Sequence, residues 1–243
     1  NYDRQHTEVN IFNEAIEMIE NGEKDKKCII LGKENWHHGV IGIVSSKVTE
    51  MYYKPSILIC FEGDEGKGSG RSIQGFDLHE ALNNCPNHIE RFGGHSMAIG
   101  ITIKKSEFED FKRDVEEYTK NTAIKQLLPI IKIDEEITCD DVNIDAVKQL
   151  KILEPFGEAN KMPIFIYKNL KIDSIRALSE GKHIKLTLRD KNMLIEAIGF
   201  NMGNLVNEYL LGERVDVVGS LEVNKFNGRE SIQINLKDMR KSY

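Results

Sequence analysis

Apolar residues recur at three- and four-residue spacing over 4–20 (Val9, Phe12, Ala15, Ile16, Ile19), and Asn21-Gly22 supplies a stop. That pattern predicts an opening amphipathic helix. Cys28-Ile29-Ile30-Leu31-Gly32 is a short unbroken apolar run, the mark of a strand buried on both faces. A helix follows over 40–53, with Ile43, Val44, Val48 and Met51 on one side and Pro55 to end it. A second buried strand covers 56–61. Strand, helix and strand in so few residues predict a βαβ unit with parallel pairing. Further on, Asp77 with Glu80 and Ser106 with Glu109 have the spacing of capping boxes, predicting helices to about 84 and 119, with a strand over 98–103 between them.

The second half reads differently. A strand over 129–133 and a helix over 143–153 lead into strands at 164–173, 184–188 and 193–200, the last two around the turn Asp190-Lys191-Asn192. A helix is expected at 203–211, closed by Gly212, then a strand over 215–223. Asn227-Gly228 is a strong hairpin signal before a fifth strand at 232–236. Three strands, one helix and a two-strand hairpin give the element order of an OB-fold barrel, another small β-barrel being the competing reading. The expected architecture is therefore an α/β domain over 1–126 followed by a mainly β barrel domain over 127–243, with an acidic helical segment before the barrel.

Composition narrows the function. At 40% hydrophobic and 30% charged the chain is an ordinary globular one, and no apolar run approaches membrane-spanning length. The net charge of −6 argues against indiscriminate coating of nucleic acid. The charge is uneven: residues 1–160 carry −10 and residues 161–243 carry +4, which permits a nucleic-acid face in the last third. The four cysteines lie far apart, and Cys28 and Cys60 fall in strand-like runs, so buried free thiols in a reducing cytoplasm are expected. The chain opens on Asn1 within a helical pattern, which suggests a piece of something longer.

Two glycine-rich stretches, Gly68-Ser69-Gly70-Arg71-Ser72 and Arg91-Phe92-Gly93-Gly94-His95, read as non-periodic loops. Glycines let backbone N–H groups converge on an anion, Arg71 adds a planar donor pair suited to phosphate, and His95 adds an imidazole. Two tight turns remain the alternative. The Gly-Lys pairs lack the rest of a Walker loop, there is no Gly-x-Ser-x-Gly elbow, and no histidine pair has metal-ligand spacing, so no metal site is expected in the chain itself. In the barrel, Phe226 beside Lys225 and Arg229 could stack a base or pack on its own hairpin.

Gly68-Ser69-Gly70-Arg71-Ser72, Phe92-Gly93-Gly94-His95 with Ala98 and Gly100, the run Trp36-His37-His38-Gly39-Val40-Ile41-Gly42-Ile43-Val44, and Leu153-Glu154-Pro155-Phe156-Gly157 together resemble the RecJ family of the DHH phosphoesterase superfamily. The resemblance runs over essentially the whole chain. It implies a connector helix and DHH-associated α/β domain followed by an OB domain. It also implies the substrate-binding half of a single-strand-specific 5′-to-3′ DNA exonuclease, releasing 5′-mononucleotides in repair and recombination. Mn2+ or Mg2+ would be held by a DHH domain, and this chain contains no Asp-His-His. By position, Ser69, Gly70 and Arg71 would hold the 5′-phosphate, and Gly93, Gly94 and His95 would close over the scissile one. Trp36 and His37 would pack a domain interface or touch DNA, as would Lys225, Phe226 and Arg229 in the barrel. Implied partners are single-stranded DNA, single-strand-binding protein and a helicase, with no membrane. Two departures from the family pattern, Ala159-Asn160-Lys161-Met162-Pro163 and Phe226 in place of Trp, bear on DNA contacts in those loops. A binding module without catalysis and a small DHH-type oligonucleotide phosphoesterase are the other readings.

Overall fold

The apolar run near residue 30 forms β1 (Ile29–Glu34). The helix after Trp36 returns the chain so that β2 (Ser56–Glu62) lies parallel to β1, with Ile30 opposite Ile57. This computed structural model describes residues 2–122, 129–157, 159–226 and 228–242; the side chains of Tyr2 and Phe226 also lie outside the description. The chain divides into two units, Asn1–Pro129 and Ile130–Tyr243.

In the first unit, α1 (Tyr2–Met18) runs into a π turn, and α2 (His38–Tyr52) follows β1. A hairpin turn at Gly63 (φ +63°) joins β2 to β3 (Glu65–Arg71). Then come α3 (Leu78–Asn83), β4 (Arg91–His95), β5 (Ala98–Lys104) and α4 (Phe108–Asn121). The sheet order is β1-β2-β3-β5-β4, parallel only between β1 and β2. Strand side chains alternate faces, which yields two cores. On one face Ile57, Ile59, Ile99, Ile101 and Ile103 meet Leu78 of α3 and Phe111 of α4. On the other, Ile29, Leu31, Leu58 and Cys60 meet Ile11 and Ala15 of α1 and Ile41, Val44 and Val48 of α2. Each buried Ile, Leu, Val or Phe among them contributes about 1.5–3 kcal/mol.

The stretch read as a glycine loop at 68–72 is instead strand β3, and Arg91–His95 is strand β4. Crowding explains the glycines. A Cβ on Gly66 would come within 2.6 Å of Phe61, on Gly68 within 2.5 Å of Ile101, and on Gly70 within 2.8 Å of Ile99. On this strand it is the neighbours' side chains that fill the core. Asp77 caps α3 as expected, its carboxylate accepting from Glu80 N at 2.9 Å. The Ser106 cap does not form: a 3-10 turn, Lys105–Glu107, precedes α4, and Glu107 is drawn to His88 Nδ1 at 2.6 Å. Cys28, Cys60 and Cys85 are buried and free, Cys139 is free and half-buried, and burial pushes the Cys28 thiol up to about 12.

The second unit is a closed barrel. Strands β7 (Phe165–Leu178), β8 (His183–Asp190) and β9 (Met193–Gly199) form a meander. Strand β10 (Arg214–Phe226) pairs with β11 (Arg229–Lys241) and returns to β7, while β11 closes onto β9 in parallel. Closure leaves the barrel no free edge, and Leu170, Ile172, Leu186, Val215, Val217 and Ile234 fill it. Asn227, at the predicted hairpin turn, lies outside the described residues. The helix expected at 143–153 is α5 (Ile144–Gln149), capped by Asn143 and followed by a 3-10 turn.

Two expectations are corrected. The strand expected over 129–133 is absent; the pairing begins later, at β6 (Glu135–Ile137), because Asp134 fixes the register by accepting from Ile164 N at 2.9 Å. The helix expected over 203–211 is only a 3-10 turn, Gly203–Asn207. Two tethers break it: Gly203 N donates to the Lys182 carbonyl at 3.3 Å, and the Tyr209 hydroxyl donates to that of Met239 at 3.0 Å. Among the described residues no helix is long and apolar enough to cross a membrane.

Candidate functional site

Sheet register decides which side chains meet. Ser69, Gly100 and Gly93 form one row across β3, β5 and β4; Arg71, Ala98 and His95 form a second; Lys67, Thr102 and Arg91 form a third. The row partners share a face, and it is the face that carries α2, since Leu58 pairs with Ser69 and Cys60 with Lys67. Helix α2 packs over β2 and reaches the near side of β3. Beyond it the sheet presents small or cationic residues: Lys67, Ser69, Arg71, Gly100, Gly93, Arg91 and His95. The alternation Gly66-Lys67-Gly68-Ser69-Gly70-Arg71 therefore places glycines in the core and donors outside.

Gly100 and Gly93 are neighbours in the central row, and nothing lies within 4 Å of where a Cβ would stand on either. No packing demands these glycines, and glycine in a strand interior weakens it; such positions mark close approach by a ligand or another backbone. Around the bare patch, Arg71 donates to Ser69 Oγ at 3.0 Å and to the Gly70 carbonyl at 2.8 Å. Among the described residues no carboxylate pairs with Arg71 or Arg91. Arg91 is held instead by Thr102 Oγ1 at 3.2 Å. Two half-exposed guanidinium groups without acidic partners beside bare backbone suit a phosphate. His95 is exposed, its Nδ1 accepting from Met97 N at 3.3 Å. Gly94 is different: at φ +139° its Cβ would stand 2.2 Å from the Ala98 carbonyl oxygen, so this glycine is required by the fold.

Gly42 is a site residue that the sequence reading did not single out. It lies in the middle of α2, where a Cβ would come 3.0 Å from Ser69 Oγ and 3.3 Å from Arg71 Nη2. Replacing a mid-helix glycine by alanine ordinarily stabilises by about 1 kcal/mol. Gly42→Ala is expected to hold or raise the melting temperature while pushing Arg71 aside, lowering affinity for a 5′-phosphorylated oligonucleotide several-fold. Thermal melts alongside fluorescence anisotropy check both halves.

Trp36 is buried in the α1–α2 core, its ring unavailable for stacking DNA. Its indole N–H donates to Glu14 at 2.7 Å and, with Lys33, holds that carboxyl below the usual range. His37 caps α2, its Nδ1 accepting from Gly39 N at 3.1 Å. In the barrel, Glu230 binds Lys225 at 2.8 Å and Lys148 at 2.5 Å, and these two cations pull its carboxyl down to about 2. Arg229 is exposed, and the Phe226 side chain lies outside the described residues. The structure thus brings Ser69, Arg71, Gly93 and His95 together on one face, whereas Gly70 and Gly94 lie in the row of Ile99, on the side of the sheet that faces the α3–α4 core; Lys225 and Arg229 belong to the second unit.

The donors on the first unit's open face would repel a hard cation, which takes carboxylate and carbonyl oxygens. Among the described residues, His88, Glu107 and Asp110 have ligand atoms within 4.8 Å of one another, at the start of α4 on the opposite side of the sheet. Both carboxylates already have partners, His88 for Glu107 and Arg113 for Asp110.

Residues 25–121 match the DHHA1 domain family and residues 133–238 match the RecJ OB domain family. The chain belongs to the RecJ family, of which it carries these two domains. It is 33% identical over 242 residues to the single-stranded-DNA-specific exonuclease RecJ of Bacillus subtilis, covering 98% of this chain and 31% of that protein. It is 31% identical to RecJ of Haemophilus influenzae, covering 96% and 43%. The crystal structure of Thermus thermophilus RecJ in complex with Mn2+ superposes with a TM-score of 0.81 at 27% identity, over 100% of this chain and 35% of that one. The same protein in complex with Mg2+ gives 0.80 at 26% identity, over 100% and 36%. The chain thus spans 31–43% of the length of these RecJ proteins.

Proposed function

We propose that this chain is the substrate-gripping part of a single-strand-specific 5′-to-3′ DNA exonuclease. The observation that carries the proposal is the bare row Ser69–Gly100–Gly93 beside Arg71, a guanidinium with no acidic partner among the described residues. In this reading Arg71 and Ser69 donate to the oxygens of the 5′-terminal phosphate. Gly93, Gly94 and His95 lie along the path to the first phosphodiester. The backbone stripped of side chains lets a phosphate approach closely, and His95 supplies an N–H where charge develops on the phosphoryl oxygens. Such donors serve catalysis only when they are held before the reaction. The sheet does this through paired β4 and β5.

The face fits an anion and not a metal, so we place Mn2+ or Mg2+ in a separate DHH domain of the whole protein. The barrel is assigned to trailing single-stranded DNA, with Lys225 and Arg229 near its hairpin and the site of action in the cytoplasm. Single-strand-binding protein and a helicase are the partners we assign to the whole enzyme.

Incubating this chain with Mn2+ and 5′-phosphorylated oligothymidylate is expected to give binding without release of nucleotides. The complex should weaken steeply as salt rises, as expected when phosphate contacts displace counterions. Robust release of mononucleotides would overturn the assignment of the metal to a separate domain.

A further inference from the structure

A cleft on the open face is not centred on Arg71. It encloses about 460 Å3 and is lined by His38 and Ile41 of the first turn of α2, Lys67 to Ser69 of β3, Arg91 to Gly93 of β4, and Gly100 to Thr102 of β5. Neither Arg71 nor His95 borders it. It shares Ser69, Gly93 and Gly100 with the candidate site and extends away from the Arg71 row, towards the row Lys67–Thr102–Arg91.

We infer that this cleft is a further phosphate subsite, taking the phosphate of the third nucleotide, two beyond the 5′-terminal one. Three observations carry it. No residue lining the cleft is acidic, whereas Lys67 and Arg91 stand on opposite walls. Arg91 is positioned by Thr102 Oγ1 and has no carboxylate partner among the described residues, and Lys67 shares its charge only with Glu65 at 3.4 Å. The turn of α2 that borders the cleft is the positive end of that helix.

The spacing agrees with them. Successive rows are two residues apart along each strand, an advance of ~6.7 Å. A nucleotide and a pair of extended residues contain the same number of backbone bonds. Arg71 and Lys67 stand four residues apart on β3, two such advances, and so flank phosphates two nucleotides apart on an extended strand, with the row Ser69–Gly100–Gly93 meeting the phosphate between them. The inference rests on reading the Arg71 end as the seat of the terminal phosphate.

The test compares 5′-thymidylate with 5′-phosphorylated di- and trithymidylate, titrated by calorimetry into this chain and into Arg91→Ala, Lys67→Ala and the double variant. For the unsubstituted chain, adding the third phosphate, from di- to trithymidylate, is expected to raise affinity about tenfold, the scale of one charge-assisted contact. That step should vanish in the double variant, with the slope of log affinity against log salt falling by about two. The ratio between phosphorylated and hydroxyl 5′ ends should stay unchanged, and Arg91→Lys should restore part of the step. Both residues are at least partly exposed, so the variants are expected to fold; a native circular-dichroism spectrum checks this. A step that persists in the double variant overturns the subsite. If the unsubstituted chain does not distinguish phosphorylated from hydroxyl ends, the terminal-phosphate reading fails instead, and the length step still reports on the cleft.

Discussion

Replacing Arg71 by alanine is expected to abolish discrimination between 5′-phosphorylated and 5′-hydroxyl oligonucleotides. Arg71 directs one guanidinium nitrogen at Ser69 Oγ and the Gly70 carbonyl, which fixes the group on the sheet face. Its charge is opposed by no carboxylate among the described residues, so a bound phosphate would meet an uncompensated cation. Hydrogen bonds to charged groups contribute about 1.5–3 kcal/mol, or roughly 10- to 100-fold in affinity. The hydroxyl-ended oligonucleotide should lose little. Arg71→Lys keeps the charge but not the forked geometry and should recover only part of the loss. Anisotropy titrations with both ends at one salt concentration give the ratio directly; an unchanged ratio in Arg71→Ala would count against the role.

The adjacent glycines of β4 should separate fold from function. Gly94→Ala places a methyl group 2.2 Å from the Ala98 carbonyl oxygen, at a φ of +139° that side chains rarely adopt. Strain of about 1–3 kcal/mol for the backbone and a similar amount for overpacking should unzip β4, an edge strand, from β5. We expect the melting temperature to fall by roughly 10 °C and binding to fall with it. Gly93→Ala adds the same atom in open space, so stability should hold while affinity for single-stranded DNA drops. Equal melting temperatures for the two variants would sink this distinction.

Most of the fold could be read from periodicity. The βαβ unit, the barrel order and the Asp77 helix start follow from apolar spacing and capping chemistry. The failures have physical causes. Strand β3 carries no apolar residue between Glu65 and Arg71, so hydrophobic alternation could not reveal it. Its true alternation is of glycine against side chain, because Phe61, Ile59 and Ile101 supply the core volume from neighbouring strands. The turn at 203–207 looked helical because its apolar spacing is helical, while the Tyr209 and Gly203 tethers that break it join residues far apart in sequence. Site residues clustered in short motifs were legible. Gly42, Lys67, Arg91 and Thr102 were not singled out, since their part depends on register between β3, β5 and β4 and on the approach of α2.

The two-faced character of β3 also limits how this segment can change. One side of the strand accepts no atom beyond Cα without displacing isoleucine, leucine or phenylalanine, and the other holds the groups that meet the ligand. A random substitution here has few silent places to land. Drift is channelled instead into outward positions such as those along α1 and α4. In directed evolution of this chain for altered substrate length, the productive library would therefore keep Gly66, Gly68 and Gly70 fixed and vary Lys67, Arg91 and His38.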